Sequence, residues 1–179
     1  MKSHGLVLML ALAALAQPAR ATAEEDGGQA RLRLVEGGVA LQRPDEAGSE
    51  EARGNVPFLP GDRLWSDAGG RAELQFADGS VLRLDRRSKL DYLEADARRS
   101  PTVVTLSLWS GSLYLHVPPD RRRSDYLVET PDGRVDVSES GTYRVDVEER
   151  ETRVAVLEGE ALLDGERSVR VESGEIATL

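Results

Sequence analysis

Apolar and polar residues alternate along most of the chain. The alternation is densest between Thr130 and Leu163, where Val135, Val137, Tyr143, Val145, Val147, Val154, Val156, Ala161 and Leu163 are separated by polar neighbours. A period of two is the pattern of a strand with one buried face and one wet face. Glycine punctuates the runs at Asp132-Gly133, Ser140-Gly141 and Glu158-Gly159. It supplies positive φ without steric cost, so each pair predicts a tight reversal.

The same phrases occur earlier. Asp78-Gly79-Ser80-Val81 matches Asp132-Gly133-Arg134-Val135, and Leu90-Asp91-Tyr92 matches Tyr143-Arg144-Val145. Leu108–Leu115 and Leu34–Leu41 both match Val156–Leu163, and Gly61-Asp62-Arg63-Leu64 is echoed by Gly174-Glu175-Ile176. The spacing between copies drifts, which marks a degenerate duplication and not a strict repeat.

Taken in order, strands are predicted from Leu32 and Leu34 onward. Gln42–Pro57 reads as a loop, interrupted by Pro44, Gly48, Gly54 and Pro57, with room for a short helical turn at Ser49–Arg53. Pro60-Gly61-Asp62 is a turn, Asp78-Gly79 a hairpin, Glu94–Pro101 a charged loop, and Ser110-Gly111 the turn of a hairpin joining Leu108 to Leu113. Pro118–Asp125 is a second large loop. The count comes to about fourteen short strands without a helical period. The predicted class is therefore all-β: a two-layer sandwich or flattened β-helix-like roll carrying an internal degenerate duplication.

Residues 1–23 depart from this pattern. Lys2 and His4 precede eleven apolar residues, Leu6–Ala16, and the small-x-small triplets Ala19-Arg20-Ala21 and Ala21-Thr22-Ala23 follow. This is the layout of a cleaved signal peptide. The apolar run is shorter than the about 20 residues of a spanning helix, so no membrane insertion is expected after cleavage. The predicted organisation is a signal peptide over 1–23, a polar lead-in without order over 24–30, and one all-β domain over 31–179. The expected location is the periplasm or the medium. Without a cysteine the protein can be neither a cysteine-anchored lipoprotein nor disulfide-stapled. Its stability must come from a core, and about 155 residues suffice for one. With two Phe, two Trp and four Tyr, that core must be built from Leu and Val.

Charge narrows the partners. The chain has 23 basic and 32 acidic residues, net −9. Losing Lys2 and Arg20 with the signal leaves 21 basic against 32 acidic residues, net −11. Such a field disfavours nucleic acid and anionic membranes.

The phrases EGGV, PGDRL, RAELQFADGSVLRL, SGSLYLHV, VETPDGRVDV, SGTYRVDV, TRVAVLEGEALL and SGE, in this order, resemble the FecR domain family of bacterial periplasmic proteins. The resemblance covers about residues 32–179. It implies an all-β periplasmic domain. In the family's best-known members that domain passes a signal from an outer-membrane transporter to a cytoplasmic sigma factor. This sequence shows neither the cytoplasmic regulatory domain nor the short carboxy-terminal receptor-contact domain of those members. The resemblance thus bears on fold more than on sigma regulation.

Catalytic chemistry has little to build on. There is no Gly-x-Ser-x-Gly elbow and no phosphate-cradling glycine loop. His116 is the single histidine after signal removal, and it sits on the strand face opposite the leucines. It reads as a surface residue. Asp78, Asp132 and Asp164 precede glycine and read as turn residues, and no stretch fits a calcium loop. The expectation is a protein that is not an enzyme and takes no cofactor or metal. It would be an exported binding or scaffolding module whose partner is an envelope protein or polymer. Two alternatives stay open: a sensor component of envelope signalling working with a separate membrane regulator, and a cell-wall-sugar enzyme. Three basic clusters offer contact sites: Arg86-Arg87 with Lys89, Arg98-Arg99, and Arg121, Arg122 and Arg123. The last is the preferred candidate, because it lies on a loop between rigid strands. Trp65 and Trp109 are candidate anchors if exposed, but a Trp in such a strand more often helps close the core.

Overall fold

The computed structural model describes residues 28–119, 124–149 and 151–179. The predicted signal peptide lies outside these residues.

Alternation becomes sixteen strands. They are β1 (Ala30–Glu36), β2 (Val39–Gln42), β3 (Glu50–Glu51), β4 (Val56–Phe58), β5 (Arg63–Ser66), β6 (Arg71–Phe76), β7 (Val81–Leu84) and β8 (Lys89–Asp96). The second half holds β9 (Val103–Val117), β10 (Asp125–Thr130), β11 (Gly133–Val137), β12 (Gly141–Val147), β13 (Thr152–Glu158), β14 (Glu160–Asp164), β15 (Ser168–Glu172) and β16 (Ile176–Thr178). No helix occurs among the described residues. The helical turn allowed at Ser49–Arg53 is instead the short β3, whose Ala40↔Glu51 pairing ties it to β2. Order begins inside the expected lead-in, since β1 opens at Ala30 and the Ala77 amide donates to the Gln29 carbonyl at 2.9 Å.

The strands form one continuous sheet, not closed into a barrel, folded over itself into two layers. One layer runs β4-β1-β6-β7-β9-β12-β13-β16. The other runs β3-β2-β5-β8-β9-β10-β11-β14-β15. These are called the first and second sheets below. Strand β9 belongs to both. Val103–Ser110 pairs with β8, and Gly111–Val117 pairs with β12.

This corrects the expected hairpin at Ser110-Gly111. The glycine does adopt positive φ, +84°, but it turns one strand from sheet to sheet and does not reverse it. Each of the three matching phrases marks such a corner. Gly37 separates β1 from β2, Gly159 separates β13 from β14, and Gly111 bends β9 in the opposite sense. Among the described pairs only β9–β10 is parallel. The bend brings the end of β9, where His116 pairs with Val81 next to the Asp78 turn, near its start, where Val103 pairs with Asp125 next to the Asp78-bound Ser124. The chain can therefore leave the first sheet at Val117 and rejoin the second at Asp125, beside Val103.

Inward positions of both layers make a single core of Leu, Val and a few rings. Aromatic contacts cross between the sheets: Phe58 stacks on Tyr92 with ring centres 5.6 Å apart, and Phe76 meets Tyr126 edge-on at 5.2 Å. Offset and edge-on pairs of this kind add to the area they bury.

Candidate binding surfaces

The preferred candidates Arg121, Arg122 and Arg123 lie outside the described residues, but both ends of their loop are visible. The clamp is Asp78. Its Oδ1 accepts the Ser80 amide at 2.9 Å, the turn geometry expected of Asp before glycine. Its Oδ2 accepts the Ser124 amide from the far side of the loop at 2.7 Å, and the Tyr126 hydroxyl donates to the same carboxylate at 3.1 Å. The aspartate is therefore a buried tie between the first sheet and the second. Asp132 does the reverse: its Oδ2 accepts the Thr152 hydroxyl at 2.7 Å, joining a turn of the second sheet to a strand of the first. The duplicated Asp-Gly phrases thus pin the two layers at opposite ends of β10, a role beyond local turn chemistry.

Three arginines of the other two basic clusters face acids. Arg98 and Arg99 face Asp96 at 3.0 and 3.8 Å. The Arg98 hydrogen bond holds the Asp96 carboxyl below the usual carboxylate range. Arg86 stands 3.9 Å from Asp85. Exposed pairs of this sort add little stability.

Lys89 differs. It lies on the outer face of the second sheet, between two indole rings. Its ammonium is 6.0 Å from the centre of the Trp65 ring and 5.0 Å from that of Trp109. Register explains the meeting: Trp65 pairs with Lys89 across β5 and β8, and Lys89 pairs with Ser110 across β8 and β9. Trp109 is 52% exposed. Its indole N–H donates to Asp91 Oδ2 at 3.0 Å, and Arg63 Nε approaches the same oxygen at 3.3 Å. Asp91 itself is buried. The ring edge is thus fastened to a strand, and about half of the residue stays exposed beside Lys89. The core position expected more often of a strand Trp is not taken: each alternates with an inward leucine, Leu64 or Leu108, and so faces outward. Their junction through Lys89 and Asp91 needed the register.

The outer face of the first sheet carries a groove of about 390 Å³ beside Tyr114. Arg83 and Arg144 flank Tyr114 in register. The arginines of this groove are matched by acids: Arg71 with Asp85 at 2.9 Å, Arg83 with Glu73 at 2.9 Å, and Arg144 with Asp146 at 2.9 Å. The Arg71 hydrogen bond lowers the Asp85 carboxyl below its ordinary range. His116 is exposed, as expected, and its Nδ1 lies 3.0 Å from the Thr142 hydroxyl. Among the described residues no three His, Asp or Glu side chains are grouped to hold a metal ion. No helix among them is long and apolar enough to cross a membrane.

A bent two-layer β-sandwich with contact chemistry on its outer faces defines the class of protein. The FecR protein family model matches residues 62–162, and the chain belongs to that family. Two crystal structures of provisionally assigned anti-sigma factors from Parabacteroides distasonis ATCC 8503 share the fold. Their TM-scores are 0.52 and 0.51, at 19% and 18% identity over 65% of this chain. The match spans 58% of each of those chains. No curated protein matches the chain.

Proposed function

We propose that this FecR-family chain is an exported, non-enzymatic binding module of the bacterial envelope, and that Arg121, Arg122 and Arg123 contact an acidic envelope protein or polymer. The observation that carries the reading is the clamp on their loop. Asp78 holds the Ser124 amide at 2.7 Å, so the segment leaves and re-enters a rigid scaffold at fixed points. A loop held at its ends loses less conformational freedom on binding. The signal-like first 23 residues support export.

The test is a capture assay on periplasmic extract, comparing the native protein with the variant in which all three arginines become Ser. The variant is expected to recover less of the main partner while its melting temperature stays unchanged. Recovery by the native protein should weaken as salt rises, because exposed charges are screened within about 8–10 Å at physiological ionic strength. Equal recovery by both proteins at every salt concentration would remove the loop from consideration.

A second reading, a part in envelope signalling with a separate membrane regulator, draws its support from the provisional anti-sigma assignment of the two neighbours in fold. Deleting the gene and reading a sigma-dependent reporter separates it from the first. An unaltered reporter would count against signalling.

A further inference from the structure

We infer that the outer face of the second sheet around Trp65, Lys89 and Trp109 is a platform for a glycan that carries sparse carboxylates. The inference rests on the reading of the chain as an envelope binding module, but it uses a surface separate from the arginine loop.

Three observations select this ligand. First, the rings are held in place. Both stand on strands, β5 and β9, with β8 between them, so their backbones are two strand spacings or ~10 Å apart. Trp109 is fastened further by its 3.0 Å bond to the buried Asp91. An exposed indole at Trp109 beside the half-buried one at Trp65, both held on strands, suits the C–H faces of neighbouring sugars of a chain. An amphipathic helix would need a groove instead.

Second, the cation between the rings is unmatched. Arg63 has Asp91 at 3.3 Å. Lys89 has no carboxylate within ion-pair distance among the described residues, and only aromatic rings beside it. A cation resting on aromatic faces keeps its charge available for an anion. A carboxylate on a stacked sugar would supply that charge.

Third, the charge of the whole chain is −9. That field repels a densely anionic polymer such as a sulfated glycan or a nucleic acid. It tolerates a chain with an occasional carboxylate, which one lysine can match.

Both tryptophans of the protein belong to the platform, so intrinsic fluorescence reads the site directly. The exported protein is titrated with a xylo-oligosaccharide bearing a single glucuronic acid, its methyl ester, the neutral xylo-oligosaccharide, and two dense polyanions, oligogalacturonate and dextran sulfate. The singly charged oligosaccharide is expected to give a saturable change in fluorescence, with the methyl ester and the neutral sugar at least tenfold weaker. Lys89→Gln should erase the preference for the free acid while leaving weak stacking. Trp109→Ala and Trp109→Phe, followed by calorimetry, should lose binding completely and partly, respectively; the Phe variant guards against a folding defect in the Ala variant. The variant with Ser at 121, 122 and 123 should bind the singly charged oligosaccharide like the native protein.

The platform assignment is overturned if no glycan gives a saturable change, if dextran sulfate or oligogalacturonate outcompetes the singly charged oligosaccharide, or if Trp109→Ala binds normally. Self-association that disappears in Trp109→Ala would also overturn it, by showing a second copy on this face. Arginine-dependent capture that survives those results would leave the broader binding-module reading standing. Loss of both would remove it too.

Discussion

At the scale of the residue, the buried polar groups explain why the two layers stay in register with each other. Asp78 gathers the Ser80 and Ser124 amides and the Tyr126 hydroxyl where water is excluded. Buried polar groups must be bonded, and a carboxylate with several donors is held firmly. Tyr92 and Tyr126 pay no charge cost as long as they stay neutral. Burial, aided by the negative charge of Asp78, pushes both phenols above their ordinary value. An acid whose folded value is raised gives stability that is complete below its unfolded value and disappears as pH rises beyond it. Folding stability is therefore expected to fall steeply above about pH 10, the ordinary value for a phenol. In an ultraviolet titration these two tyrosines should ionise only as the protein unfolds. Tyr126→Phe should blunt the alkaline loss while costing about 1 kcal/mol at neutral pH for the missing bond to Asp78. Ionisation of all four tyrosines near pH 10 with the fold intact would contradict this account.

At the scale of the element, β9 is the piece on which the rest depends. Its corner is built by Gly111 with Ser88. The Ser88 hydroxyl accepts the Ser112 amide at 2.9 Å, which satisfies a donor that the bend would otherwise strand. A Cβ on Gly111 would stand 2.6 Å from the Ser88 Cα, and the φ of +84° disfavours a side chain in any case. Gly111→Ala is expected to destabilise the protein by about 2–3 kcal/mol, more than strain at a positive φ alone, which costs about 1–2 kcal/mol. Ser88→Gly in the same chain should recover part of the loss. Urea melts of the three proteins check this, and a melt of Gly111→Ala that matches the native protein would refute the packed corner. Most strand faces were legible in the alternation, because burial on one side imposes a period of two on the local sequence. The corner at Gly111 was not. Ser-Gly between alternating runs fits both a reversal and a change of sheet, and only the pairing of Leu108 with Leu90 on one side and Leu113 with Val145 on the other decides between them. The cross-layer ties of Asp78 and Asp132 were equally hidden. Ser124 and Thr152 are distant in sequence, and nothing local to an Asp-Gly pair reports them. The meeting of Trp65, Lys89 and Trp109 was hidden for the same reason.

At the scale of the molecule, the shared strand bears on cooperativity. Two sheets could in principle melt separately, as stacked units with nearest-neighbour contacts do. Here β9 contributes hydrogen bonds to both sheets, and one core cluster includes inward residues of both, such as Leu106 and Leu115 on the same strand. Separating the layers would expose both inner faces at once, so partial unfolding has no favourable stopping point. The protein is expected to unfold in one step, as single domains of this size usually do. The placement of its chromophores makes the test clean. Trp65 and Trp109 both stand on the second sheet, so tryptophan fluorescence follows that layer alone. Far-ultraviolet circular dichroism follows the strands of both. In urea the two signals should trace one superimposable transition with the same midpoint and slope. Leu106→Ala, on the half of β9 in the second sheet, and Val145→Ala, beside the other half, should each move both signals together, by about 1–4 kcal/mol for a buried truncation. A fluorescence transition that precedes the dichroism transition, or a variant that shifts one signal alone, would show that the corner in β9 is a joint between two units and not the spine of one.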